Sequence, residues 1–560
     1  MKPIRFLMVL LLLAMNAIIH AQTIIPGGYV SGIWNSSNSP YYIQDNILVH
    51  PDSTLIIEEG STLLFSGKKL LEIQGQMLIS GTDQHPVILD GVTDTTSWYG
   101  LFINTTDTSI TDSSVISNLS ISQCSGHPAI TITQSDRVRL TACNIHDNES
   151  FRGAGISCIN SDPIFDDLLV SFNHALDGGG ISLDSSSPVM SNCILTQNTA
   201  AGAGGAIVIF NSSNPVLEHC SITDNQSNGS GGGIYINSSG PLFKNCIISG
   251  NEGAIGGSNL YSGGGVSVKL GSNTEFENCI FKDNLSHREG GGIASFSENE
   301  IINCLFQENY AMLRGGGAFL SSGNLIVSHL TNCTFSDNES PQGTALATHN
   351  HDGVLRNCIL WHSNPSNPTS LIYLDSNFGL NVMNAGYSDI QNGEDGIETS
   401  GTADYIWSQG NINLDPKFLP DTCDLSWQSP CIEAGTPDTT GLSLPELDLA
   451  GNPRLVNTRV DMGAYEYQLP VGVQSAKFKI QSGVRVFPNP AGDYVCIDFD
   501  CQISSARFRI VNSEGVVVKE LESGHGNFIK IDINELRPGI YMLVIEETAG
   551  VSVNYPLIKY

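Results

Sequence analysis

Between residues 140 and 360 large apolar side chains recur at two fixed offsets from one repeated slot. The slot holds Cys143, Leu168, Cys193, Cys220, Cys246, Cys279, Cys304, Cys333 and Cys358, at intervals of 25, 25, 27, 26, 33, 25, 29 and 25 residues. Three residues earlier stand Leu140, Phe165, Met190, Leu217, Phe243, Phe276, Ile301, Leu330 and Leu355. Two residues later stand Ile145, Val170, Leu195, Ile222, Ile248, Phe281, Phe306, Phe335 and Leu360. Side chains of a strand alternate faces, so offsets of opposite parity cannot both point inward along one straight strand. A bend must separate them, and Asn, which tolerates the left-handed conformation, usually stands just before the slot, at 192, 245, 278, 303, 332 and 357.

A second Asn column follows: Asn148, Asn173, Asn198, Asn225, Asn251, Asn284, Asn309 and Asn338. Its amides are expected to bond along a stack rather than to do chemistry. Next comes a glycine corner such as Gly178 to Gly180 or Gly290 to Gly292, then an alternating strand such as Ile181 and Leu183. Each period therefore predicts three short strands and three corners, one coil of a parallel β-helix. Periods of this length mark solenoids. Nine coils stacked about 4.8 Å apart would climb about 38 Å.

Gly204, Gly205, Ala206 and Ile207, with the pairs Phe281/Asn284, Phe306/Asn309 and Phe335/Asn338, resemble the GGAI and FxxN repeats of polymorphic outer-membrane proteins. More widely the repeat resembles right-handed, pectate-lyase-like β-helices. The resemblance implies an all-β, right-handed, three-stranded parallel β-helix, and leaves function open, because one coil type carries adhesins, lyases, hydrolases and epimerases. Residues 41–66 and 70–90 read as opening coils. The stretch Ser429 to Gly435, with Asp448, Gly451, Pro453, Arg454 and Val460 to Glu466, resembles the end of choice-of-anchor surface proteins and reads as a terminal coil and cap. A cap is needed because an open solenoid end exposes strand edges.

The two ends differ from the repeat. Lys2 and Arg5, the apolar run from Phe6 to Ala14, and Ala21 before Gln22 read as a secretory signal peptide too short to span a membrane. After Gln468 a linker leads to evenly spaced strand-like runs, Tyr494 to Phe499, Arg507 to Val511, Val516 to Glu520 and Ile540 to Ile545, which predict a small β-sandwich. Pro488, Asn489 and Pro490, then Asn512 and Gly515, then Leu536, Gly539 and Tyr541, and finally Lys559 resemble the ordered motifs of a type A C-terminal sorting domain of the type IX secretion system. That resemblance implies the outer-membrane translocon and its sorting protease as partners. It also implies release, or transfer of the passenger to surface lipopolysaccharide. The expected organisation is signal peptide 1–21, N-terminal cap and first coils 22–120, regular repeats 121–364, irregular excursion with terminal coil and cap 365–468, linker 469–483, and sorting domain 484–560.

Charge narrows the partners. With 56 acidic and 25 basic residues the formal charge is −31, which repels nucleic acid and anionic membranes. Neutral glycans, proteins or cations fit better. Fourteen cysteines in an exported chain suggest disulfides; the shared register favours a ladder of buried thiols for most, and leaves Cys423 and Cys431 as the candidate disulfide. No CxxC or Cys/His spacing supports zinc, no metal site or cofactor is expected, and calcium has no specific motif behind it.

Candidate chemistry is sparse. The residue before each glycine corner forms a column in which Glu289 would meet Arg314, with His287, Arg288 and Tyr310 near; a solvated ion pair is the plainer reading. Arg288, Glu289 and Arg314 are the catalytic candidates. His349, His351 and Asp352 read as a surface turn, and the adjacent Asp166 and Asp167 as a corner. The only GHG, Gly524 to Gly526, falls in the tail. Basic residues do not line up as the base of a polyuronate lyase. Just after the repeated slot, where side chains should point outward, stand Ile194, Ile247, Ile280, Leu305 and Ile359, a column that suits either strand propensity or a covered, adhesive face. The expectation is a secreted, cell-surface β-helix that adheres to or binds a glycan or protein; the alternative is a polysaccharide-active lyase or glycoside hydrolase.

Overall fold

The computed structural model describes residues 22–468 and 484–559, apart from 94–95, 106–112, 257–261, 323–325, 364–369, 420–421, 457–458, 489–490, 504–505, 513–515, 524–525 and 548–551. The expected signal peptide, the linker at 469–483 and most of the GHG turn lie outside the described residues.

Up to residue 413 the chain winds as a parallel solenoid, already in place at Thr23–Ile25, which pairs with Tyr41–Ile43. Sheet I has 15 strands, from Thr23–Ile25 to Asp389–Ile390, and sheet II has seven, from Glu149–Arg152 to Tyr310–Ala311. Sheet III has 28 and consists of two ladders. The front ladder contains Ile156–Ile159, Ile181–Asp184 and Ile207–Phe210; the side ladder contains Ile164–Asp166, Val189–Ser191 and Val216–Glu218. Ile372–Gly386 and Ile397–Trp407 run through both and join them. Register follows the repeat: Val170 pairs with Leu195, Leu195 with Ile222 and Ile222 with Ile248.

Three sheets were expected, and three form, but each regular coil carries four strand segments. The additional corner, between front and side ladders, is made by buried serines. Ser161 N donates to Ser186 Oγ at 3.0 Å, and Ser186 N to Ser213 Oγ at 2.9 Å. Serine is too common in this chain for that column to stand out by eye.

The bend before the repeated slot is a left-handed residue in every coil from Ala142 to Asn357, with φ from 51° to 57°. Behind it the slot side chains are buried. The thiols are free, and burial pushes that of Cys143 up to about 12. Two residues on, rings stack from coil to coil, Phe281 on Phe306 at 4.6 Å and Phe306 on Phe335 at 4.5 Å. The Asn column is an unbroken buried amide ladder. Asn148 Nδ2 donates to Asn173 Oδ1 at 2.9 Å, and the same bond repeats to Asn338 at 2.9 to 3.1 Å. Each Oδ1 also accepts a backbone N–H, as Asn225 Oδ1 does from Asn198 N at 2.9 Å.

The C-terminal unit is antiparallel. Val484–Phe487, Tyr494–Ile503 and Gly526–Asp532 form one sheet; Val517–Ser523, Ala506–Asn512, Gly539–Glu547 and Ser552–Lys559 form the other. They enclose Val495, Ile497, Phe508, Ile510, Leu543, Ile545 and Leu557.

Two outcomes follow. Asn225→Ala should lower stability to denaturant by roughly 1–3 kcal/mol, because the buried N–H groups of Asn198 lose their acceptor and Asn251 Oδ1 and the Leu195 carbonyl lose a donor; a loss below about 0.5 kcal/mol would mean the ladder is not stabilising. Native alkylation of Cys246, Cys279 and Cys304 should be slow and become fast on denaturation, and rapid native labelling would break the register.

Candidate functional site

Along the front ladder alternate side chains point away from the core. Tyr235, Ser267, Ala294, Phe319, Ala347 and Tyr373 form one outward column, linked by strand pairing from coil to coil. Two residues later come Lys269, Phe296, His349 and Asp375. The glycine corner delivers each strand to this face: Gly290 and Gly315 have φ of 62° and 69°, and a Cβ on Gly291 would lie 2.3 Å from the carbonyl oxygen of Gly316. Glu289 and Arg314, just before those corners, are bridged through their backbones.

These residues form one network. Arg314 Nη2 lies 3.9 Å from Glu289 Oε1, and Arg314 Nη1 lies 3.4 Å from Asp375 Oδ2. His349 Nδ1 is 2.8 Å from the same Asp375 oxygen. The Arg314 guanidinium packs 5.0 Å from the centre of the Phe319 ring, and Lys269 Nζ sits 5.0 Å from Phe296 and 5.8 Å from Tyr235. Burial among those rings pulls the Lys269 ammonium down to about 8, against the pull of Glu289. Glu289 is 2% exposed, and its Oε2 stands 3.6 Å from Arg288 Nε with neither atom hydrogen-bonded. The candidates Arg288, Glu289 and Arg314 are thus brought together. His287 turns aside to Glu252 Oε1 at 2.7 Å, and Tyr310 lies on sheet II. Lys269 and Asp375 were missed, and His349 was read as part of a surface turn, because the three come from different coils and a different column; the signal was their shared place along the front-ladder strands.

The apolar column of sheet I has a different fate from the outward interface expected of it. Ile280 and Leu305 are buried with Cys423 under Phe418, Leu449 and Tyr465, and Ile359 is buried with Leu425, Cys431 and Met462. The cover is the chain's own segment 414–468, folded back along the last coils. Polar contacts seat it: Ala464 N donates to Thr334 Oγ1 at 2.9 Å, Asn332 Nδ2 to the Asp461 carbonyl at 2.9 Å, and Thr436 N to Asn357 Oδ1 at 2.7 Å. Inside it Asp448 accepts from the backbone N–H of Asn452 at 2.7 Å and of Glu466 at 2.8 Å, while buried Arg454 lies 3.9 Å from Glu466. Nearer the N-terminus the column is uncovered; Leu169 is 38% exposed and Ile194 half-buried, whereas Ile247 is buried.

Cys423 and Cys431 do not form the disulfide expected of them: each is a buried free thiol in its own cluster, and Cys431 Sγ donates to Asp389 Oδ2 at 3.2 Å. His349 and His351 point apart. His351 is buried, 3.0 Å from Ser328 Oγ, and burial pushes its pKa from 6.5 down to about 4. Among the described residues no group of three His, Cys, Asp or Glu could hold a metal, and no helix is long and apolar enough to cross a membrane. In the tail Asn512 Oδ1 accepts Val516 N at 2.8 Å, Tyr541 Oη donates to the Arg537 carbonyl at 2.8 Å, Gly539 pairs with Lys559, Leu536 packs on the core, and Pro488 is half-buried. Asn489, Pro490 and Gly515 lie outside the described residues.

Comparison with known proteins matches two families. The right-handed β-helix region matches residues 78–254 and 227–413, and the secretion system C-terminal sorting domain matches residues 485–559. The tail is therefore that of the type IX secretion route. No curated protein matches. Among solved structures, the enzymatically active domain of tailspike protein 4 from bacteriophage CBA120 is similar at 10% identity, covering 86% of this chain and 59% of that one, with a TM-score of 0.20. The chain thus spans less than two thirds of that structure, and so low a score carries no argument.

Two further outcomes follow. Leu305→Asp should detach the cover and make Cys423 react with thiol reagents under native conditions; unchanged protection of Cys423 would refute the packing. Because His351 is neutral when folded, the unfolded chain takes up a proton that the folded chain refuses, so stability present above pH 6.5 is lost as pH falls toward 4. The contribution is roughly 3 kcal/mol, and His351→Gln should flatten that part of the stability profile.

Proposed function

The chain belongs to the right-handed β-helix family, and from that premise we propose that it is a secreted surface protein that binds an uncharged glycan along the outward face of its front ladder. The observation that carries this reading is the assembly, on one strip, of the half-buried rings Tyr235 and Phe296, beside the buried Phe319 and Tyr373, with interlocked charges. Rings offer flat apolar area to a sugar face, and fixed polar groups set its orientation. In that strip Lys269, Arg288 and Arg314 stand against Glu289 and Asp375, so it lacks the charge excess that would select a strongly anionic chain, in a molecule of formal charge −31. Side chains locked by their neighbours lose little freedom on binding.

Binding is favoured over turnover. A general acid must come within hydrogen-bond reach of the bond it protonates, yet Glu289 is 2% exposed and its Oε2 is shut off from solvent. Export follows the sorting tail: the translocon receives it, the sorting protease removes it, and the passenger is then released or passed to surface lipopolysaccharide.

In affinity electrophoresis through neutral polysaccharides at least one should retard the protein, and Arg314→Ala and Lys269→Ala should each weaken retardation about tenfold. Undiminished retardation of both variants would move the ligand elsewhere, and release of new reducing ends by the wild type would replace binding with hydrolysis. Mass spectrometry of protein shaved from cells should find no peptide beyond about residue 483; abundant tail peptides would exclude removal.

A further inference from the structure

Nearer the N-terminus the front strip carries a second grouping of guanidinium, carboxylate and ring. Arg152 stands in the column before the glycine corners, as Arg314 does, and pairs with Asp177 one coil on. Its Nε lies 3.5 Å from Asp177 Oδ2, and its guanidinium carbon lies 5.1 Å from the centre of the Phe210 ring and 5.8 Å from that of Phe151. Asp177 is fixed in turn, since its Oδ1 accepts Ala203 N at 3.0 Å. Arg314 is held in the same manner, by Glu289 and Asp375 against Phe319. One device thus occurs twice at one angular position of the solenoid, just before the left-handed corner glycines Gly153 and Gly315, whose φ values are 56° and 69°.

Folding gains little from the first copy. Phe151 is 65% exposed, Leu176 in the next strand of sheet II is 40% exposed, and a half-exposed ion pair such as Arg152 with Asp177 adds little stability. The first cluster therefore offers a more open apolar surface than the buried Phe319 and Tyr373 of the second. Charge balances only when the two are taken together. Asp184 is beside Phe210 in the outward column, bonded to Asn211 Nδ2 at 2.8 Å, and leaves the Arg152 cluster one carboxylate in excess. The Arg314 cluster, with Lys269 and Arg288 also set against Glu289 and Asp375, is one cation in excess, so a ligand laid across both meets no net charge.

Six coil steps separate Arg152 from Arg314 in their shared column, through Asp177, Ala203, Ser230, Ser262 and Glu289, a rise of about 29 Å at the inter-strand spacing. Between the clusters the residues before the corners are the short Ala203, Ser230 and Ser262, and the half-buried Tyr235 stands on the face midway. On the reading of this face as a glycan surface, we propose that the ligand is a long, linear, neutral polysaccharide gripped along its length at two poles, Arg152 and Arg314, and not a terminal sugar. That rise is the length of several sugar units, so a single end unit reaches one pole only. Both anchors sit on one rigid body. Once a chain spans the gap its second contact becomes intramolecular, and the gain vanishes for ligands too short to reach.

Isothermal titration of the full chain with neutral glucans, xylans and mannans, each whole and as size-graded oligomers, tests this. In the series that binds, the dissociation constant should fall at least about tenfold as the oligomer becomes long enough to span both poles. Arg152→Ala and Phe151→Ala should each remove that gain and leave short oligomers bound at the Arg314 pole. Both variants should melt as the wild type does, because the two side chains are 48% and 65% exposed. A gain with length that survives both variants overturns the second pole, as do short oligomers bound as tightly as the polymer; either result leaves a single glycan site at Arg314 standing. Binding of no series overturns the glycan surface itself, and the two-pole grip with it.

Discussion

Everything in this solenoid depends on coils lying in one register, and the buried amide ladder enforces it. Hydrogen bonds between parallel strands alone tolerate slippage, since any residue's N–H can meet any carbonyl. A side-chain amide at 0–3% exposure from Asn148 to Asn338 cannot slip, because a shift of one residue strands its donors and acceptors out of reach of water. With that register held, cysteines fall on cysteines and rings on rings, and the interior needs no other instruction. The dense thiol column is thus a consequence of register and small volume; its members donate weakly to carbonyls two residues back, as Cys246 Sγ does to Lys244 O at 3.2 Å.

The same constraint builds the outward strip. Because every glycine corner sits at one angular position, the residues before and after it line up along the axis. One long guanidinium then reaches carboxylates on either side, and Arg314 touches both Glu289 and Asp375 although 86 residues of sequence separate those two. Replacing either corner glycine with a larger residue would push front-ladder backbone outward, since the Cβ of such a residue at 291 or 316 would meet a carbonyl oxygen at 2.3 or 2.4 Å. Site and fold share their glycines, which is why the strip is continuous over several coils.

What was legible in the sequence was whatever repeats in an uncommon residue. Cysteine, asparagine and glycine columns announced the coil, its left-handed bends and its corners, and the ordered tail motifs announced the sorting domain. The serine corner was not legible, because serine recurs everywhere in this chain. Glu289 and Arg314 were paired by counting along one column, whereas Lys269, His349 and Asp375 joined them from another column and other coils, which counting along one column cannot show. The pairing of Cys423 with Cys431 failed for a related reason: closeness in sequence gave no warning that the cover presents them to different coils.

The aliphatic column of sheet I shows why outward hydrophobicity is ambiguous until the whole chain is placed. Its strands are alike in backbone and pairing from Leu169 to Ile359, so propensity cannot separate one end from the other. The difference lies in what the chain does 50 or more residues after the last of them, when 414–468 returns over Ile280, Leu305 and Ile359 but leaves Leu169 exposed. Covered, the column stabilises by removing apolar area from water. Uncovered, the same chemistry leaves apolar area in water, as at Leu169 and the neighbouring Phe172.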